Sequence, residues 1–93
     1  MIQRHCFVKL ADAHAGSRDS IAAELRAELA EAGADATVGV PADESAARWD
    51  LAITITAASL PAWHALALTP PIIAVFDKLA ARADVVKAWT FRS

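Results

Sequence analysis

The side chains that could do chemistry in this sequence crowd into its first ten residues. His5, Cys6 and Lys9 lie within a short run of β-branched and aromatic residues. On an extended chain, neighbouring side chains point to opposite sides. His5, Phe7 and Lys9 therefore share one side, and Arg4, Cys6, Val8 and Leu10 share the other. His5 is the leading acid/base candidate, because an imidazole titrates near neutrality. Lys9 on the same side could meet a bound anion. Against this, no Asp, Glu or Tyr is predictable beside His5, so a histidine bonded to nearby backbone is the simpler reading. A lysine at a strand end usually extends its head into water. Cys6 would need a neighbouring cation to become reactive, and Arg4 alone offers one; otherwise it is a small hydrophobe. His64 follows Trp63 and could act as a pocket base or haem ligand, although a helix-surface histidine is simpler. His14 falls in a polar loop. Trp63 could stack on an aromatic ligand or fill core, while Trp49 and Trp89 are core or interface anchors.

The totals bound what these residues can belong to. Ninety-three residues make one domain, and a chain this short buries little of its surface on folding. Small domains compensate with disulfides, a metal or oligomerisation. One cysteine rules out an internal disulfide, and three scattered histidines do not form a zinc pattern. Hydrophobic residues reach 56%, above the usual share of about 45–50%. Association with another copy is the compensation left. A net charge of −2 with intermixed signs gives no footprint for nucleic acid or an anionic membrane. No apolar run approaches the ~20 residues that span a bilayer. The N-terminal residues lack the zones of a signal peptide, so a cytoplasmic location is expected.

Residues 3–10 read as a strand. From about residue 17 to 32, Ile21, Leu25 and Leu29 recur every fourth position, which predicts an amphipathic helix ended at Gly33. Residues 36–40 are a short strand stopped by Pro41, and 41–48 are turn-like. Leu51, Ile53 and Ile55 alternate with Ala52, Thr54 and Thr56, so 51–57 is a strand. Ser59 with Pro61, then Thr69 with Pro70, are two cap-and-proline helix starts. Prolines 70 and 71 must break or kink the helix between them. Ile72, Val75, Phe76 and Leu79 give the second piece an apolar stripe. Residues 85–91 close the chain as a strand.

The order β-α-β-β-α-β is that of a ferredoxin-like fold, α+β, with a four-stranded antiparallel sheet and helices on one side. Its other side is then bare, and Val8, Leu10 and Cys6 are placed there, to be covered by a second copy.

Several segments carry a resemblance. Arg4-His5-Cys6-Phe7-Val8-Lys9-Leu10 resembles the "HxVxxKL"-type first strand of the dimeric α/β-barrel proteins, the stress-responsive A/B barrel family. Val38-Gly39 is similar to that family's second-strand "vG". Asp50 through Ile55 followed by Ser59-Leu60 resembles its third strand and "fxSlxal" helix start. Leu68-Thr69-Pro70 stands where members commonly have His-Pro. The resemblance spans the chain. It implies a homodimer whose two sheets close into a barrel, with small-molecule pockets between sheet and helices or inside the barrel. The family includes cofactor-free polyketide cyclases, and related dimeric barrels include monooxygenases and haem enzymes. In the plant polyketide cyclase a tyrosine and a histidine flank the His-Pro segment. The matching positions here are Leu66 and Ile72, neither of which moves a proton, and the chain has no tyrosine. His5 matches a first-strand histidine that lines the cyclase pocket.

Residues 1–93 are thus expected to form one domain that pairs into a dimeric α/β barrel. The expected ligand-binding set is His5, Phe7, Lys9, Trp63, Leu66 and Ile72, with no metal and no cofactor. The expected partners are a second copy and a small apolar or aromatic metabolite. The alternative is a cofactor-independent enzyme, monooxygenase- or cyclase-like, with His5 as acid/base.

Overall fold

The computed structural model describes residues 1–93. Strand β1 (Ile2–Leu10) leads through a short helix α1 (Asp12–Ala15) to α2 (Arg18–Glu31) and strand β2 (Asp35–Gly39). A single 3₁₀ turn (Glu44–Ala46) precedes β3 (Leu51–Ala57); α3 (Leu60–Ala67), α4 (Pro70–Arg82) and β4 (Ala83–Arg92) complete the chain. The strands form one sheet in the order β2-β3-β1-β4, every neighbouring pair antiparallel. This is the ferredoxin-like α+β architecture that the element order predicts.

Local chemistry sets the element ends. Helix α2 buries Ile21, Ala22, Leu25 and Leu29 along one stripe. It stops at Gly33, whose φ of 82° is a left-handed conformation that costs glycine nothing. Gly33 N–H and Ala34 N–H then reach back to the carbonyls of Ala30 and Leu29. Ser59 caps α3 by accepting from Ala62 N–H at 3.2 Å. Thr69 behaves differently from the cap it resembles. Its hydroxyl donates back to the Leu66 carbonyl at 2.7 Å and so closes α3 rather than opening α4. Prolines 70 and 71 cannot continue α3, and α4 leaves it at 74°. No single helix is long and apolar enough to cross a membrane. The loop expected after β1 contains the extra turn α1, and no loop separates α4 from β4. Ala11 N–H bonds the Arg82 carbonyl at 2.9 Å and ties the two crossovers together at that end.

All sixteen buried residues are apolar, and they pack between the helices and one side of the sheet. That side carries Ile2, Cys6, Val8 and Leu10 of β1 and Leu51, Ile53 and Ile55 of β3, with Cys6 opposite Ile53 and Val8 opposite Leu51. Val8 is 0% and Leu10 1% exposed. This corrects the sequence-based placement of Val8, Leu10 and Cys6 on the uncovered side. Both sides of β1 hold apolar residues, so alternation alone could not decide between them. The largely aliphatic set went under the helices, where it joins the buried core. The bare side instead presents His5, Phe7 and Lys9.

Two ties fix the helix layer. Arg26 donates Nε and Nη2 to the Val38 carbonyl at 3.1 and 2.9 Å, joining α2 to β2. On the outer surface, Lys78 and Arg82 of α4 pair with Glu24 and Glu28 of α2. These last pairs are solvated and add little stability. At the foot of the sheet Asp50 has more at stake: its Oδ2 accepts Leu10 N–H at 2.8 Å, and its Oδ1 lies 3.6 Å from Arg18.

Candidate functional site

Two places gather side chains able to engage a ligand or partner, and they lie on opposite sides of the sheet. The first is a cavity of about 340 Å³ between the sheet and helices α3 and α4. It exists because β4 is an edge strand that the helices cover only in part. Arg4, Cys6, Val86 and Ala88 form its sheet wall. Trp63 and Ala67 of α3, with Ile72 and Phe76 of α4, form the facing wall; Ile73 and the exposed Asp77 stand with them on α4. Eight of these ten residues are hydrophobic, which suits an apolar guest. Other hollows of about 440 and 280 Å³ lie at the ends of the sheet, beside Leu60 and Phe91 and beneath the 3₁₀ turn near Trp49. The first cavity alone reaches between the sheet and helix layers to the buried Trp63.

Polar groups in that cavity are few. The Arg4 guanidinium donates to the Thr90 hydroxyl at 2.9 Å and sits over the Trp63 ring, 5.8 Å from its centre. Burial pushes the Cys6 thiol up from its ordinary pKa, and the Arg4 charge pulls only partly against that shift. Cys6 is therefore a protonated wall residue, not a nucleophile. No histidine and no hydroxyl side chain lines the space.

The second place is the uncovered side of the sheet. Phe7 packs at a tilt against Trp49 on one side and Trp89 on the other, at centroid distances of 5.9 and 6.0 Å. His5 lies 5.8 Å from Phe91, and its Nδ1 is 3.2 Å from the Thr54 hydroxyl. Trp89 is 48% and Phe91 57% exposed, although each is large and apolar. Lys9 and Lys87 stand exposed at the same side. Aromatic surface laid open across a sheet is a place where a partner or ligand can bind.

The six residues expected to bind a ligand are thereby divided. Trp63 and Ile72 line the cavity. Leu66 is partly buried against the core beneath α3. His5, Phe7 and Lys9 face away, with the sheet between them and the cavity. His64 is exposed on α3, and His14 lies on α1. Sequence reasoning missed Val86 and Ala88 as cavity residues and named Arg4 only as a neighbour of Cys6. The usable signal was Arg4 itself, a charge within the aliphatic side of β1.

No family model matches the chain, and no curated protein matches it in sequence. Solved structures do match its fold. A dimeric protein of unknown function with a ferredoxin-like fold from Bacteroides fragilis superposes with a TM-score of 0.77 at 16% identity, over 99% of this chain and 95% of that one. A hydroxynitrile lyase from Passiflora edulis gives 0.79 at 10% identity, covering 97% and 90%. An antibiotic biosynthesis monooxygenase gives 0.73 at 8%, covering 100% and 98%. The class defined is the ferredoxin-like α+β domain. At these identities the likeness is one of fold.

Proposed function

We propose that this chain is a homodimeric α/β barrel whose subunits each bind a small apolar or aromatic molecule in the cavity between sheet and helices. The observation that carries the ligand reading is the cavity, with eight of its ten lining residues hydrophobic. Two further points support pairing. The aromatic side of the sheet has no cover within the chain, and a structural neighbour is described as dimeric. A second copy laying the same side against it would bury Trp89 and Phe91 of both chains in one step.

Binding is favoured over catalysis because no acid–base pair faces the cavity. His5, the base of the enzyme reading, is on the far side of the sheet and has Thr54 rather than a carboxylate beside it. Two neighbours carry enzyme names, a lyase and a monooxygenase. Chemistry, however, resides in side chains grafted on a fold and does not travel with the fold.

The test is titration with the neutral fluorophore N-phenyl-1-naphthylamine. Saturable binding is expected at one site per chain, and it should be abolished by Ala88→Phe or Ala67→Phe, which fill the cavity from opposite walls. No saturable binding to the wild type, or unchanged binding in both filled and folded variants, would remove the proposal.

A further inference from the structure

We infer that the cavity takes an amphipathic monocarboxylate, its apolar body against Trp63, Ile72 and Phe76 and its carboxylate on Arg4. This rests on the proposed function and names the class of ligand.

Arg4 is out of place in its surroundings. It belongs to the side of β1 that otherwise carries Ile2, Cys6, Val8 and Leu10, all buried beneath the helices. Its stem crosses that apolar wall while its head reaches the exposed rim at Thr90, where it stays hydrated and can meet a ligand's polar end. All four ion pairs of the chain involve Arg18, Lys78 or Arg82, so Arg4 has no carboxylate partner. A guanidinium carries five N–H donors in a planar fork, and Thr90 takes one of them. Trp63 lies under the guanidinium carbon and Thr90 anchors one of its donors, which restricts where the remaining donors can point. Such a fork matches the two oxygens of a carboxylate.

Asp77, the other charge of the cavity, stands exposed on α4 and forms no ion pair. Water screens its repulsion of a bound anion. Beyond Arg4 the lining holds no other cation, so a second negative group would find no partner there, which limits the class to a single charge. The depth of the space, bounded by rings and branched aliphatics, sets the remainder of the molecule as hydrocarbon or aromatic.

The test compares 4-phenylbutanoate with its neutral isostere 4-phenylbutanamide by isothermal titration calorimetry. Charge-assisted hydrogen bonds predict that wild type binds the acid about ten- to a hundredfold more tightly than the amide. Arg4→Gln should erase that preference, and Arg4→Lys should keep only part of it. Equal wild-type affinity for acid and amide would overturn the carboxylate assignment and leave the apolar site standing. Failure of both compounds to bind would bring down the site and this inference with it. The wild-type comparison decides the matter even if neither variant folds.

Discussion

Replacing Trp89 by Glu should split the protein into folded monomers. Trp89 is 48% exposed in the single chain, so its far half touches nothing within it. An aromatic side chain has about 150–250 Å² to bury, which leaves roughly 100 Å² for a partner to cover. At about 25 cal/mol per Å², that area stabilises a pair by about 2.5 kcal/mol per copy, or about 5 kcal/mol for two. A symmetric interface loses both together, and a decade in affinity is about 1.4 kcal/mol. Trp89→Glu should therefore raise the dissociation constant by roughly three to four decades, with like charges facing each other adding to the loss. Val8→Asp is the control for which side is which. Val8 is fully buried under the helices, so a carboxylate there should cost several kcal/mol and unfold the chain rather than merely separate copies. Sedimentation velocity across concentration, with far-UV circular dichroism on the same samples, reads both outcomes. A Trp89→Glu protein that is folded and still as dimeric as wild type would refute the interface. So would a wild type that stays at 9.8 kDa throughout. A Val8→Asp protein that remains folded as a monomer would refute the assignment of the sheet's sides.

Two smaller effects follow from the same structure. Asp50→Ala should lower stability by about 1–3 kcal/mol, because Leu10 N–H loses its acceptor and Arg18 its partner; urea unfolding measures this. Cys6 should resist alkylation by iodoacetamide at neutral pH in the folded protein and react quickly in denaturant. Its raised pKa means the folded state favours the thiol and the unfolded state ionises first. Stability linked to Cys6 is therefore full below the ordinary thiol range and declines as pH rises through it. A Cys6→Ala variant lacking any part of the alkaline decline would support this sign, and an unchanged decline would contradict it.

What was legible in the sequence is the architecture. Ile21, Leu25 and Leu29 announced α2, Leu51, Ile53 and Ile55 announced β3, and the order of elements announced the sheet. Those patterns are periodic, and period is a local property that the chain carries wherever it folds. The side of the sheet covered by helices is not local. It depends on how β1 docks, and β1 is apolar on both sides, so Val8 and Leu10 were placed on the wrong one. The candidate site inherits that difficulty. Trp63 and Ile72 reach the cavity, whereas His5, Phe7 and Lys9 follow the other side of the same strand. Val86 and Ala88 were invisible because an edge strand half covered by helices has no sequence pattern of its own. Thr69 shows the limit at the scale of one bond: a residue that reads as a helix start spends its hydroxyl on the previous helix's end.

Strand β4 pairs on one edge alone, with β1, and runs ten residues to Arg92. Its outer row of amide and carbonyl groups is open, and Trp89 and Phe91 project beside that row. An unpaired edge next to bare aromatic surface is a template for any extended chain nearby. For a newly made chain, an extended stranger can then add to this strand while the adjoining aromatic side is still bare. In the proposed dimer a second copy would cover the aromatic side beside this edge, and dilution would remove that cover. Low-concentration refolding of this chain should therefore yield less soluble protein in the presence of other unfolded chains than in their absence, and Lys87, the charge set midway along the strand, is the one built-in deterrent on its uncovered side.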